Sequence, residues 1–430
     1  MRLHVAALVA VLAAPVCLAV PLTLEEATRN AETANPRVVA AKLNAAALAE
    51  RAEALSARRF GSVDLSGVYN NYESSRLVRP ISSELFADSA QGFLQLPWDA
   101  DQMHLGISVQ VPLLDAGAFR DGTRVARLTA ESVGAAASHT REEAWLAVRT
   151  VYRNALTLTH ALRAAEAYTE ALEQGARDAA LRLRVGAAAK VDADKVRFAL
   201  AGVRAELVNV RGQLHATEAT LAALMGEERP VEGYQLEEIL KPPDSEVATV
   251  GVRYDLDAAR LLVDAAGRRV TMARKAFGPE LVFYGLYQQH DAPSVDWMET
   301  HELSLIFRMP LFDFGSRRAS LREAQSARAA VEEHLRGKEL EAASQAVDAL
   351  ARCETARAQL DAGAAQRSLG AEVARVEKLR LDQGSGRVED YLAAKVSELR
   401  GETAYWQALY ALQNANDYAA FVRGREILHD

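Results

Sequence analysis

Two aspartates, Asp192 and Asp390, stand at matching places in the chain, each six residues after a glycine, Gly186 and Gly384. A carboxylate so placed has two uses. It suits the positive end of a helix that starts after a glycine turn; alternatively, copies gathered around one axis make a negative ring that attracts cations. Both readings stay open for both residues. The other reactive groups are scattered. The nine His include no His-Glu-x-x-His and no Cys/His pair at ligand spacing, so no metal site is expected. Of the two Cys, Cys17 falls in an N-terminal segment that reads as removable, and Cys353, within Ala351-Arg352-Cys353-Glu354, reads as an ordinary helix position. No set of residues suggests the convergent polar site of a secreted enzyme, and no cofactor is expected.

The elements that must position the aspartates are long helices. The chain has 430 residues, half of them apolar and a quarter charged, with only 6% aromatics and 12 prolines. Ala, Leu, Arg and Glu crowd nearly every block, which predicts a mostly α protein. A net charge of −8, with basic residues interleaved among acidic ones, leaves no footprint for nucleic acid. Residues 1–19 read as a secretory signal: Arg2, the apolar run Val5 to Ala14, then Cys17-Leu18-Ala19 with small residues suited to cleavage. Val16 fits poorly before a lipid-modified Cys17. Beyond the signal no apolar run is long enough for a membrane-spanning helix, which does not exclude a transmembrane β-barrel.

The chain contains an internal repeat. Val111-Pro112-Leu113-Leu114-Asp115-Ala116-Gly117 recurs as Met309-Pro310-Leu311-Phe312-Asp313-Phe314-Gly315, and the same offset joins Gly186 to Gly384 and Asp192 to Asp390. Residues 20–225 form the first copy and 252–430 the second, joined by the proline-containing segment 226–251, expected as a mid-height appendage. Alternating apolar residues predict strands at about 62–70, 104–112, 280–288 and 301–310. Pro112 and Pro310 are expected to end the second strand of each pair, and Asp115 and Asp313 to cap the following helices. Proline-free stretches from Asp115 to about Arg184 and from Asp313 to about Asp382 carry helical periodicity; in the first, Val148, Val151, Ala155, Leu158, Leu162, Ala165 and Leu172 trace a coiled-coil stripe. Each would be about 100 Å long. The glycines then reverse the chain, so helical hairpins span 115–225 and 313–424. Medium helices are expected at 24–58 and 252–277. Stacked with the returning helices, they make two further pillars as long as the unbroken ones. Four strands cannot close a barrel, so several chains must pool theirs.

In these features the sequence resembles the TolC-like outer-membrane factors, exit ducts of Gram-negative tripartite efflux pumps and type I secretion systems. The likeness rests on Leu24-Glu25-Glu26-Ala27 followed by Asn35-Pro36, on the duplicated Pro-Leu-Leu/Phe-Asp-x-Gly, and on the two Gly-(x)5-Asp tips. It implies a homotrimer, twelve strands closing one outer-membrane barrel, and twelve helical pillars forming an α-barrel tunnel in the periplasm. No enzyme activity or cofactor goes with it. It implies partners as well: a periplasmic adaptor protein, an inner-membrane transporter reached through it, and outer-membrane lipid. By resemblance, Val185, Gly186 and Ala187 with Gly384 and Ser385 are adaptor-docking tips, although Ala187 replaces the family's bulky Leu. Asp390 matches a pore-lining aspartate whose companion is here Ala393. The family's gating Tyr and Arg positions hold Leu381 and Gly386, with Arg387 one residue on. The expected constriction is therefore Asp390, Arg387 and Asp192.

Other residues have plainer readings. Trp145, Tyr152 and Phe198 are expected to pack between pillars. Trp98 and Trp297, placed in strand-to-strand loops, serve either as interface-belt aromatics or as loop anchors. A periplasmic coiled-coil scaffold without channel activity would explain the helices and the signal, but not four strands at duplicated positions with one polar and one apolar face.

Overall fold

The structure is a computed structural model that describes residues 20–80, 83, 96–115, 117–185, 189–231, 233–239 and 251–424. The expected signal, with Cys17, lies outside these. In chain order the described elements are β1 (Val20–Leu22), α1 (Leu24–Ala34), α2 (Pro36–Ala57), a 3-10 turn (Arg58–Phe60), β2 (Ser62–Leu77), β3 (Trp98–Leu114), α3 (Ala118–Arg184), α4 (Lys190–Met225), β4 (Tyr234–Leu236), α5 (Tyr254–Lys275), β5 (Glu280–Ala292), β6 (Val295–Arg308), α6 (Ser316–Asp382) and α7 (Val388–Arg423). They form two compact units that cut across the sequence repeats. One holds Met1–Ala41, Ala137–Tyr254 and Leu340–Asp430; the other holds Lys42–Ala136 and Asp255–Glu339.

The second unit carries an antiparallel sheet in the order β2-β3-β5-β6. Its register aligns Val63 with Val109, Leu65 with Ile107, Ile107 with Tyr287 and Phe283 with Leu305, so side chains of period two make one continuous apolar face. The opposite face carries Asp64, Ser108, Gln288, Ser304 and a cross-strand pair in which His104 and His290 share a hydrogen bond between Nδ1 atoms at 2.9 Å. The strands run longer than expected, and Pro112 does not end β3. It pairs with Val282, and the register shifts between Pro112 and Leu114, a bulge at which the missing N–H is tolerated. Trp98 and Trp297 lie within β3 and β6 rather than in loops.

Both strand-to-helix elbows are built by their aspartates, as expected of caps. Asp115 accepts from the N–H groups of Gly117 (2.8 Å) and Phe119. Asp313 accepts from Gly315 (3.2 Å), Arg317 N (2.9 Å) and Arg317 Nε (2.6 Å). These bonds satisfy donors that a helix start leaves without partners.

In the first unit α3 packs through Trp145, Val148, Tyr152, Leu156, Tyr168 and Leu172. Val151, Leu158 and Leu162 are only half-buried, so the stripe is turned toward two tyrosines that a purely aliphatic pattern overlooks. Tyr152, 0% exposed, donates to Leu22 O (2.8 Å) and accepts from Glu237 N (2.9 Å). It thereby ties α3 to β1 and β4, a short parallel pair that the sequence reading did not anticipate. Of the segment 226–251, expected as an appendage, β4 pairs with β1, while residues 232 and 240–250 lie outside the described residues. The single helix expected over 24–58 is broken at Asn35, whose ψ of 124° leaves the helical region before Pro36, as the residue ahead of proline prefers. Its Nδ2 donates to Leu224 O (2.8 Å), and its Oδ1 accepts from Arg37 N (2.8 Å). Gly226, with φ +78°, sits against this break; a Cβ there would fall 2.3 Å from Ala34 O.

Helices α6 and α7 meet along a seam of small residues. Ala349, Ala356, Gly363 and Gly370 recur every seventh residue on α6 and meet Ala419, Ala415, Tyr405 and Glu398 of α7. A Cβ on Gly401 would lie 2.7 Å from Gln366 O, which shows how near the two backbones come. Arg153, 3% exposed, binds Gln413 (2.9 Å), Asn414 (2.8 Å) and Asp417 (2.5 Å) of α7, so its burial is compensated by charge and hydrogen bonds. Phe198 does not pack between helices of this chain; it is 83% exposed.

Candidate pore constriction and helix tips

Both hairpin ends lie in the first unit. At the second, α6 stops at Asp382, and Gly384 takes φ +74°, the left-handed conformation that ends many helices. The N–H groups of Ser385 and Gly386 both donate to Arg380 O, at 3.0 and 2.9 Å, and Ser385 Oγ adds a third bond to it at 3.2 Å. Arg387, extended at φ −97° and ψ 146°, precedes α7 without a side-chain cap, leaving Glu389 and Asp390 as the acidic residues of its first turn. At the first tip, exposed Val185 donates its N–H to Leu181 O (3.2 Å). Gly186 and Ala187 lie outside the described residues. Helix α4 then starts after extended Ala189, whose carbonyl accepts from Asp192 N (3.1 Å).

The three expected constriction residues are not equivalent. Asp390 is exposed and Asp192 half-buried. Among the described residues, neither carboxylate takes part in a hydrogen bond or ion pair. Arg387 is directed instead to Glu389 (Nη2 to Oε2, 3.0 Å). Glu389 also pairs with Lys195 of α4, joining a helix of the first repeat to one of the second. The Lys195 hydrogen bond, then the Arg387 charge, hold the Glu389 carboxyl below the usual carboxylate range. Sequence reasoning missed this cross-repeat pair because its members have no pseudo-equivalents: the matching positions are Val191 and Ala393. Behind the tips, Tyr168, Leu172 and Val196 pack with Val388, Leu392 and Val396, fixing α3, α4 and α7 together. The described residues here are the second turn and the start of α4, standing on an apolar plug, with acidic first turns in α4 and α7 and one ion-paired bridge. It suits an electrostatic aperture. Among the described residues no group of three or more His, Cys, Asp or Glu is placed to hold a metal.

A long α-helical hairpin in each repeat and a four-stranded sheet with one apolar face define a class of membrane duct. The chain belongs to the outer membrane efflux protein family, whose model matches residues 27–227 and 251–417. Solved structures share the fold at low identity. The Campylobacter jejuni CmeC outer membrane channel superposes with a TM-score of 0.79 at 16% identity, covering 95% of this chain and 87% of that one. A membrane protein from Pseudomonas aeruginosa gives 0.78 at 20%, covering 93% of each. The outer membrane protein VceC of Vibrio cholerae gives 0.76 at 17%, covering 93% and 96%. No curated relative matches in sequence. The expected mostly α fold with a small β part and the outer-membrane location both stand. No described helix is long and apolar enough to cross a membrane.

Proposed function

We propose that this chain is a passive exit duct of a tripartite efflux pump or a type I secretion system, acting as a homotrimer and catalysing no reaction. The observation that carries the reading is the sheet. Strands β2 and β6 are its two edges, and open edges beside lipid would leave a row of backbone groups without partners. Its apolar face suits lipid and its polar face a water-filled lumen, and three copies supply twelve strands for one closed barrel. In this reading Val185, Gly186 and Ala187, with Gly384 and Ser385, dock the periplasmic adaptor, which couples the duct to an inner-membrane transporter. Three copies of Asp390 ring the mouth of the tunnel, and each Lys195–Glu389 bridge braces the tips within one copy.

The test is conductance. Purified protein in planar lipid bilayers is expected to open discrete, cation-preferring channels. A protein that extracts without detergent and never conducts would instead be a periplasmic scaffold.

A further inference from the structure

The polar face of the sheet holds one pair of side chains that the duct reading leaves without a task. His104 of β3 and His290 of β5 are direct register partners, 186 residues apart in the chain, and they join the first repeat to the second. That separation hides them from any search for ligand spacing. The repeat offset carries position 104 to Glu302, so the pair is not duplicated. It lies toward the end of the sheet away from the helices, with His290 two residues from the end of β5. His290 is 3% exposed and His104 half-buried.

The two rings meet nitrogen to nitrogen. Their Nδ1 atoms are 2.9 Å apart, with ring centroids at 5.0 Å and planes at 76°. Nε2 of His290 shares a hydrogen bond with Thr300 Oγ1 at 2.8 Å, which orients the ring and keeps Nδ1 toward His104, as the outer partner of a ligating histidine does. Neutral imidazole carries one N–H and one bare nitrogen, so a single shared proton separates the two Nδ1 atoms. A metal ion can replace that proton. Imidazole–metal bonds are about 2.0–2.1 Å long, so two at a right angle place their nitrogens about 2.9 Å apart, whereas two at a tetrahedral angle need about 3.3 Å. The observed separation fits the right angle, the arrangement of a tetragonal ion. Of the divalent first-row metals, Cu2+ favours that geometry and binds nitrogen ligands most tightly. Two protein ligands are fewer than the three or four of a resident centre, which suits an ion that comes and goes. The positive charge of Arg79 reaches His290 and opposes a cation there, which weakens the site further.

We propose that His104 and His290 form an exchangeable site for a divalent copper ion, which binds both Nδ1 atoms and clips β3 to β5. The ion takes the place of the shared proton, and His104 stays neutral by carrying its proton on Nε2 instead. The site requires neither that the sheet meet lipid nor that the chain conduct. The test uses the detergent-purified full chain without a polyhistidine tag, carrying Cys353→Ala, titrated with Cu2+ against glycine as competitor. Pulsed electron paramagnetic resonance then counts the imidazoles on the bound ion. One Cu2+ per chain with two imidazoles is expected. His104→Asn and His290→Asn should each weaken binding at least tenfold and remove the two-imidazole signal. His301→Asn, in β6 beside Tyr287 on the opposite face, should leave both unchanged, and Arg79→Gln should tighten binding several-fold. A spectrum of the otherwise unaltered chain with fewer than two imidazoles overturns the proposal without recourse to any variant at the site. Equal affinity in a folded His104→Asn/His290→Asn double variant overturns it too, leaving the pair as a plain cross-strand hydrogen bond.

Discussion

Gly401→Ala adds one methyl group where the α6 and α7 backbones nearly touch. The new Cβ would lie 2.7 Å from Gln366 O and 3.1 Å from Arg367 Cα. Both are parts of a hydrogen-bonded helix, so relief requires the helices to separate rather than a side chain to turn. Overpacking of this kind costs about 1–3 kcal/mol, while alanine's better helix propensity returns about 1 kcal/mol. The net expectation is a destabilisation of about 1 kcal/mol for Ala and well beyond that for Leu. Gly363 and Gly370, whose added Cβ would sit 3.1 and 3.2 Å from α7 Cα atoms, should be milder. Gly202→Ala on α4 has nothing within 4 Å and should gain about 0.5–1 kcal/mol. Thermal unfolding of the detergent-solubilised protein, followed by helical circular dichroism, should therefore shift in opposite directions for Gly401→Ala and Gly202→Ala. Equal stabilisation by both would refute the close-packed seam.

Asp390→Ala should reduce cation selectivity in planar bilayers and relieve block by a trivalent cation, with conductance equal or higher; Asp192→Ala in the same assay should respond weakly. Gly186→Trp should weaken coupling to the adaptor, read as lost export, while leaving expression and oligomer intact. The Glu389 carboxyl lies below its ordinary value because of Lys195, so its contribution to tip bracing is complete above the unfolded value of about 4.3 and is lost as pH falls through the lower folded value. Conductance should accordingly hold steady from pH 7 to 5 and rise below about pH 4. In Glu389→Gln it should be higher throughout and lack that rise.

The parts of the fold written in strong local signals were legible. Alternation from His104 to Val111 and from Glu302 to Met309 marked the strands, and the duplicated Asp115 and Asp313 marked the starts of the long helices. Parts that depend on meetings between distant segments were not. A three-residue strand such as Tyr234–Leu236 has too few residues to show a period, and its partner Val20–Leu22 lies far away in the chain. Pro112 looked like a terminator because a bulge that accommodates proline cannot be read from one strand alone. Asn35-Pro36 did contain its break, yet the helical pattern on both sides concealed it. At the tips, Asp192 and Asp390 drew attention through their repeat symmetry, whereas the Lys195–Glu389 bridge breaks that symmetry and emerges only when α4 and α7 lie side by side.

The central claim is that the sheet is one third of a barrel, so the oligomeric state tests it most directly. Native mass spectrometry of the detergent-extracted protein should show three chains that stay together until strongly activated, because separation would expose both the β2 and the β6 edge of every copy. A stable monomer that retains its secondary structure would contradict the account.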